Sequence, residues 1–167
     1  YDYTFTTQAD FSTVGTYQCK AAIVDTADEI PFNDTLDYAV DIFAVQTLPF
    51  EEDFELATSG APGVLPNHWS TSSNSTYVWY VNNGSTATGS TGPAQDHTIG
   101  AIGGHYVYTE ADNGIAGDSA FLYLPCTDLA GYTNPVIGFW YHMYGGDIDT
   151  LYLDVFDGGA WINGIYS

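Results

Sequence analysis

The amino-acid sequence predicts an all-β fold, and three observations carry the prediction. Apolar and polar residues alternate with a period of two in several stretches, as Tyr1, Tyr3 and Phe5 do against Asp2, Thr4 and Thr6, the pattern of a half-buried strand. Of the 167 residues 16% are aromatic and only 13% charged, so the surface is built largely from Ser, Thr, Asn and Gly. That disfavours helices, whose exposed faces draw on long charged side chains, and favours strands, to which Tyr, Phe and Trp are suited. No helical periodicity persists long enough to mark a helix.

After the opening strand and a polar turn, Tyr17, Cys19, Ala21 and Ile23 fall on one face of a second strand and Thr16, Gln18 and Lys20 on the other. Asp25 to Asp34 is an acidic, proline-bearing hairpin loop. In a third strand, Leu36, Tyr38, Val40 and Ile42 alternate with Asp37, Ala39 and Asp41. Tyr17 standing two residues before Cys19 resembles the tyrosine corner of immunoglobulin-like sandwiches. Asn33-Asp34-Thr35-Leu36 before the last strand is similar to the tails of such modules in secreted bacterial proteins. The resemblance implies that residues 1–47 are the C-terminal strands of an immunoglobulin-like β-sandwich, whose apolar face needs covering by more chain or by a neighbour. A boundary is expected at Thr47-Leu48-Pro49, because proline cannot donate to a ladder.

Residues 48–167 form the second module. Pro49 to Glu55 opens it, and Ala57 to Pro66 is a loop rich in Gly and Pro. Trp69, then Tyr77, Trp79 and Val81, mark strands, and Asn82-Asn83-Gly84-Ser85 supplies residues that tolerate positive φ in a turn. Further strands are expected at Gly103 to Glu110, at Ala120 to Leu124 ahead of Pro125, and at Leu151 to Phe156, followed by a turn at Asp157-Gly158-Gly159 and by Trp161. Between them, Phe139-Trp140-Tyr141-His142-Met143-Tyr144-Gly145 reads as a central strand covered on both faces. Together with Thr91-Gly92-Pro93, Asp96-His97-Thr98 and Ala120-Phe121-Leu122, this run resembles the MAM domain from about Phe54 onward. The resemblance implies an extracellular adhesion module with a jelly-roll β-sandwich fold, here stopping short of its final strands, with Phe54-Glu55 on the first strand.

The charge balance excludes several functions. Twenty-one acidic residues face a single basic one, Lys20, for a net charge of −20. Two carboxylates about 10 Å apart repel by only roughly 0.4 kcal/mol in water, but many such pairs add up, which points to surroundings rich in salt or divalent cations. Nucleic acid and anionic membrane surfaces are excluded as partners, since phosphate recognition draws on Lys and Arg and the chain has no Arg. No apolar run approaches the roughly 18 residues of a membrane-spanning helix.

Four features invite chemistry. Asp96-His97-Thr98 suggests a general base, but no Gly-x-Ser-x-Gly elbow or His-Glu-x-x-His zinc pair accompanies it, and local hydrogen bonds that fasten a turn account for it better. No catalytic residue is expected. Resemblance to calcium-bearing jelly rolls makes Glu55 with Asp96 the first choice for a calcium site, with Glu110 and Asp53 as additions, because calcium takes six to eight oxygens. Trp69, Tyr77, Trp79 and Tyr80 offer rings for stacking on sugars, although alternation assigns such rings more often to a core. Asn33, Asn74 and Asn83 open glycosylation sequons, and Asp-Ser/Thr pairs such as Asp118-Ser119 resemble bacterial O-glycosylation sites. Cys19 and Cys126 are expected to be unpaired small core residues.

The function expected is a non-catalytic adhesion or protein-interaction segment of a secreted or cell-surface protein, engaging other proteins or copies of itself through strand edges. A subunit of an extracellular filament and an accessory, carbohydrate-binding domain of a secreted hydrolase are the alternatives.

Overall fold

The structure, a computed structural model, describes residues 6–23 and 34–166. The opening alternation through Phe5 and the acidic loop from Asp25 to Asn33 lie outside the described residues. The fold is all-β. Eight strands and one 3-10 turn, Ala111–Asn113, are described, and every strand pairs with one antiparallel neighbour. The chain divides into two compact units, Tyr1–Phe50 with Pro125–Tyr132, and Glu51–Leu124 with Thr133–Ser167.

In the first unit β1 (Gly15–Ala22) pairs with β2 (Thr35–Ile42) so that Tyr17 faces Val40, Cys19 faces Tyr38 and Ala21 faces Leu36. The period-two pattern thus specifies both strands and their register. Tyr17 Oη donates to the Thr13 carbonyl at 2.8 Å, and its ring meets Phe11 edge-on with centroids 4.9 Å apart. Leu36 and Tyr38 are exposed. Gln46 bridges to the stretch after Pro125: its N–H donates to the Cys126 carbonyl at 2.8 Å, and its own carbonyl accepts from Asp128 N at 2.9 Å. Both cysteines are free, as expected, but Cys126 is exposed rather than in a core. Its backbone serves the bridge while its side chain stays exposed.

In the second unit β3 (Ser70–Ser73) pairs with β6 (Ala120–Tyr123), β4 (Trp79–Asn83) with β5 (His105–Thr109), and β7 (Leu153–Phe156) with β8 (Trp161–Tyr166). The last pair has a bulge between Leu153 and Val155. Among the described residues the most buried apolar ones are Val81, 2% exposed, and Ala57. Val81 is covered by the loop Ala57 to Val64. Gly60 N donates to the Val81 carbonyl at 2.9 Å, and Thr58 and Val64 exchange two bonds of 2.8 and 2.9 Å that close the loop. The turn after β4 forms as expected: Gly84 has φ 75°, and its carbonyl accepts from Tyr106 Oη at 2.6 Å.

Two expectations are corrected. Phe54-Glu55 is not on a strand. Phe54 has φ 62°, outside the β region, and its N–H donates to Glu52 Oε1 at 2.7 Å. Acidic side chains capping their own backbone compete here with a ladder. Phe139 to Gly145 is also not a covered central strand. These residues belong to no ladder, and Trp140 is 78% exposed. A run of large side chains shows how much apolar surface is on offer, but only a neighbouring backbone makes a strand of it.

Candidate functional site

The loop from Asp96 to His105 is built around one carboxylate. Asp96 is buried, at 5% exposure. Its Oδ2 accepts from Ile99 N at 2.8 Å, and its Oδ1 from Gly100 N at 3.0 Å and Ala101 N at 3.4 Å. Desolvation pushes this carboxyl up, but the combined backbone donors outweigh it and leave the pKa below the ordinary 3.8. Where the chain enters β5 it passes directly over this group: a Cβ on Gly104 would lie 2.1 Å from Asp96 Oδ1. Only glycine fits. On the next residue, His105 N donates to Glu55 Oε1 at 3.0 Å, and His105 Nδ1 lies 3.9 Å from Glu55 Oε2. Glu55 and Asp96 therefore both address the Gly104-His105 segment.

The other two carboxylates expected at this site are elsewhere. Asp53 Oδ1 accepts from Glu55 N at 3.1 Å, within its own turn. Glu110 Oε1 accepts from Thr88 Oγ1 at 3.0 Å, while its Oε2 is buried without a hydrogen-bond partner. Asp112 Oδ2 is 3.1 Å from the same Thr88 hydroxyl, which has one proton to share between the two carboxylates. Among the described residues no three His, Cys, Asp or Glu side chains converge on a point a metal ion could occupy.

The His97 ring stacks on Trp140 with centroids 3.9 Å apart. The rings expected to face sugars are half-buried and used internally: Trp79 Nε1 donates to the Ala120 carbonyl at 3.2 Å, Tyr77 Oη to Thr109 Oγ1 at 2.7 Å, and Trp69 meets Phe54 with centroids 4.9 Å apart.

The exposed aromatic surface lies further along. Phe139, Trp140, Tyr141, Tyr144, Tyr152, Phe156, Trp161 and Tyr166 are all more than two-fifths exposed. Ile137, Phe139, Tyr141, Leu153, Ile165 and Tyr166 line an apolar groove of about 340 Å³ between the extended 137–141 segment and the β7–β8 ribbon. Tyr166 Oη donates to Tyr141 Oη at 3.2 Å, a bond that raises the pKa of the Tyr166 phenol. Sequence reasoning placed Phe139 to Tyr144 in a strand covered on both faces; it assigned no side to Tyr152, Phe156, Trp161 or Tyr166.

Comparison with known proteins adds a family. The family described as "MAM domain, meprin/A5/mu" matches residues 53–160. Neuropilin-1a of Danio rerio is 35% identical over 83 residues, 49% of this chain and 9% of that protein. MAM domain-containing protein 2 of Homo sapiens is 41% identical over 74 residues, 44% of this chain and 10% of that protein. Thyroid hormone-induced protein B of Xenopus laevis is 42% identical over 75 residues, 44% of this chain and 10% of that protein. The chain thus spans about a tenth of the length of these relatives. They are vertebrate proteins, and the bacterial resemblance expected for the first 47 residues is not borne out. No solved structure matches.

Proposed function

Because the chain belongs to the MAM domain family, we propose that it is a non-catalytic segment through which a longer protein adheres to, or binds, other proteins. MAM domains are extracellular modules, and the chain is an extracellular or cell-surface segment. The match over residues 53–160 is the observation that carries the reading. The exposed aromatic surface supports it, since apolar patches beyond a few hundred Å² on a soluble protein mark interaction sites. An immunoglobulin-like origin for residues 1–47, with the MAM-like module at 48–167, is part of the proposal. The Tyr17 bond to a carbonyl four residues upstream supports it, as a tyrosine corner makes such a bond.

Fluorescent tetramers of the 167-residue chain test the reading. They are expected to label the surface of cultured vertebrate cells, with the label lost on trypsin treatment of the cells. Labelling no stronger than that of heat-unfolded tetramers would sink it.

Calcium belongs to the proposal at Glu55 and Asp96 alone. Glu55 accepts from His105 N, and Asp96 lies where a Cβ on Gly104 would stand, so both carboxylates flank the Gly104-His105 segment. A calcium ion held there would take most of its six to eight oxygens from backbone carbonyls and solvent. Binding to the folded state alone raises stability by mass action, by about 2.7 kcal/mol at a hundred times the dissociation constant. The melting midpoint is expected to rise in calcium relative to chelator at matched ionic strength, and Glu55→Gln is expected to remove most of the rise. Equal midpoints in the unaltered chain would reject calcium.

A further inference from the structure

Two Asn-x-Ser/Thr sequons lie among the described residues, and the fold uses their amides in opposite ways. Asn74-Ser75-Thr76 follows β3, and Asn83-Gly84-Ser85 ends β4. Both asparagines are exposed.

The Asn74 amide is a clamp. Its Oδ1 accepts from Ser119 N at 2.8 Å and its Nδ2 donates to the Gly117 carbonyl at 3.0 Å. Its backbone N–H donates to the Ser119 carbonyl at 3.2 Å, which carries the β3–β6 pairing one residue past Ser73 and Ala120. Two partners so close along the chain must be met by one edge of the planar amide, so the hydrogen that Nδ2 donates is the one on the side of Oδ1. A sugar on Nδ2 turns the group into a secondary amide, whose preferred form places the substituent opposite Cβ and therefore on that same side. Glycosylation of Asn74 thus removes the clamping hydrogen and sets a sugar where the Gly117 carbonyl stands.

Asn83 has no such task. Its Oδ1 accepts from Ser59 Oγ at 3.3 Å, and its Nδ2 donates to no described residue. Other groups fasten the turn: Gly84 takes φ 75°, its carbonyl accepts from Tyr106 Oη at 2.6 Å, and Asn82 Nδ2 donates to the Ser85 carbonyl at 3.1 Å. A sugar on Asn83 Nδ2 costs none of these bonds.

We propose that Asn83 is an N-glycosylation site of the extracellular chain and that the folded chain carries no sugar at Asn74. The donor is an oligosaccharide on a lipid diphosphate. Asn83 Nδ2 forms a bond to C1 of the first sugar, the bond from C1 to the diphosphate oxygen breaks, the lipid diphosphate leaves, and the amide gives up one proton. The Ser85 hydroxyl completes the acceptor sequence. Transfer takes place on the nascent chain, so both sequons meet the transferase, and folding selects between the products.

The test expresses the 167-residue chain behind a secretion signal in cultured vertebrate cells. Asn33→Gln is included throughout, to remove the sequon that lies outside the described residues. Glycopeptides are mapped by mass spectrometry in secreted and in cell-retained protein. Most secreted chains are expected to carry sugar at Asn83, and none in Ser85→Ala, which leaves the asparagine in place. Occupancy of Asn74 in secreted chains is expected to be at least tenfold below that of Asn83. Absence of sugar from Asn83 in both fractions overturns the site, and equal occupancy of the two asparagines in secreted chains overturns the selection by folding. A second measurement uses the sugar-free chain made in bacteria. There Asn74→Gln is expected to lower the melting midpoint by about 3 °C or more, the scale of losing such bonds in a chain of this size, while Asn83→Gln leaves it unchanged. Equal midpoints for Asn74→Gln and the unaltered chain overturn the clamp, whatever the cell-labelling experiment shows of adhesion.

Discussion

Asp96→Ala is expected to destabilise the second unit by about 3 kcal/mol, because hydrogen bonds to a charged acceptor contribute roughly 1.5 to 3 kcal/mol each and the longest of the three here counts for little. The substitution removes the acceptor for the N–H groups of Ile99, Gly100 and Ala101 at once. No described side chain other than Asp96 accepts from them. Asp96→Asn keeps one oxygen acceptor and loses the charge, so it should cost about half as much. The pH dependence has a fixed sign. The folded pKa lies below the ordinary 3.8, so the stabilisation is fully present above pH 3.8 and is lost as pH falls through the lower folded value. Acid should therefore close the gap between the unaltered chain and Asp96→Asn. Gly104→Ala supplies a second handle, since its Cβ would collide with the same carboxylate. It should cost markedly less in an Asp96→Ala background than alone, the non-additivity expected of groups in contact. Thermal melts of the five proteins, the unaltered chain, the three single variants and the Asp96→Ala, Gly104→Ala double variant, at pH 7 and pH 3 decide the matter. Additive losses, or an Asp96→Ala midpoint equal to that of the unaltered chain, would show that the loop does not depend on this carboxylate.

How much of this was legible depends on whether the cause was local. Period-two alternation found β1, β2 and β4 because a strand with alternating apolar and polar residues writes its register into the chain. The role of Asp96 as a fastener was legible for the same reason: a short acidic side chain followed by Thr98 and Gly100 bonds backbone a few residues on. The stacking of His97 on Trp140 was not, since the two are distant in sequence and aromatic residues carry no mark of their partner. Phe139 to Gly145 shows the limit most clearly. Whether such a run is buried depends on what packs over it, and the sequence supplies the apolar surface without naming its cover. The turn at Phe54 was missed because a phenylalanine at positive φ contradicts local preference. The capping by Glu52, and the edge-on contact of Phe54 with Trp69, hold it there.

The second large effect is expected at Gly63. This residue has φ 85°, a conformation that costs an L-residue about 1 to 2 kcal/mol. Strain alone would make Gly63→Ala mild. The surroundings make it severe: a Cβ there would lie 2.6 Å from the Thr58 carbonyl oxygen and 2.9 Å from Val81 Cβ. Neither neighbour can step aside. The Thr58 carbonyl is tied to Val64 N at 2.9 Å, and Val81 is the most buried side chain described, its N–H and carbonyl both paired with Gly60. The loop must therefore lift off β4, which uncovers Val81 and breaks those bonds together. The expected loss is about 3 to 4 kcal/mol, combining backbone strain with the overpacking cost of roughly 1 to 3 kcal/mol. Gly89 is the control, because nothing lies within 4 Å of a Cβ placed there and its φ is not in the left-handed region. Gly89→Ala should leave stability unchanged or raise it slightly, by restricting the unfolded chain. Urea titration of both variants measures the difference, and amide exchange at Gly60 and Val81 locates it. If Gly63→Ala unfolds at the same urea concentration as Gly89→Ala, the loop is not clamped against β4, and Val81 owes its burial to something else.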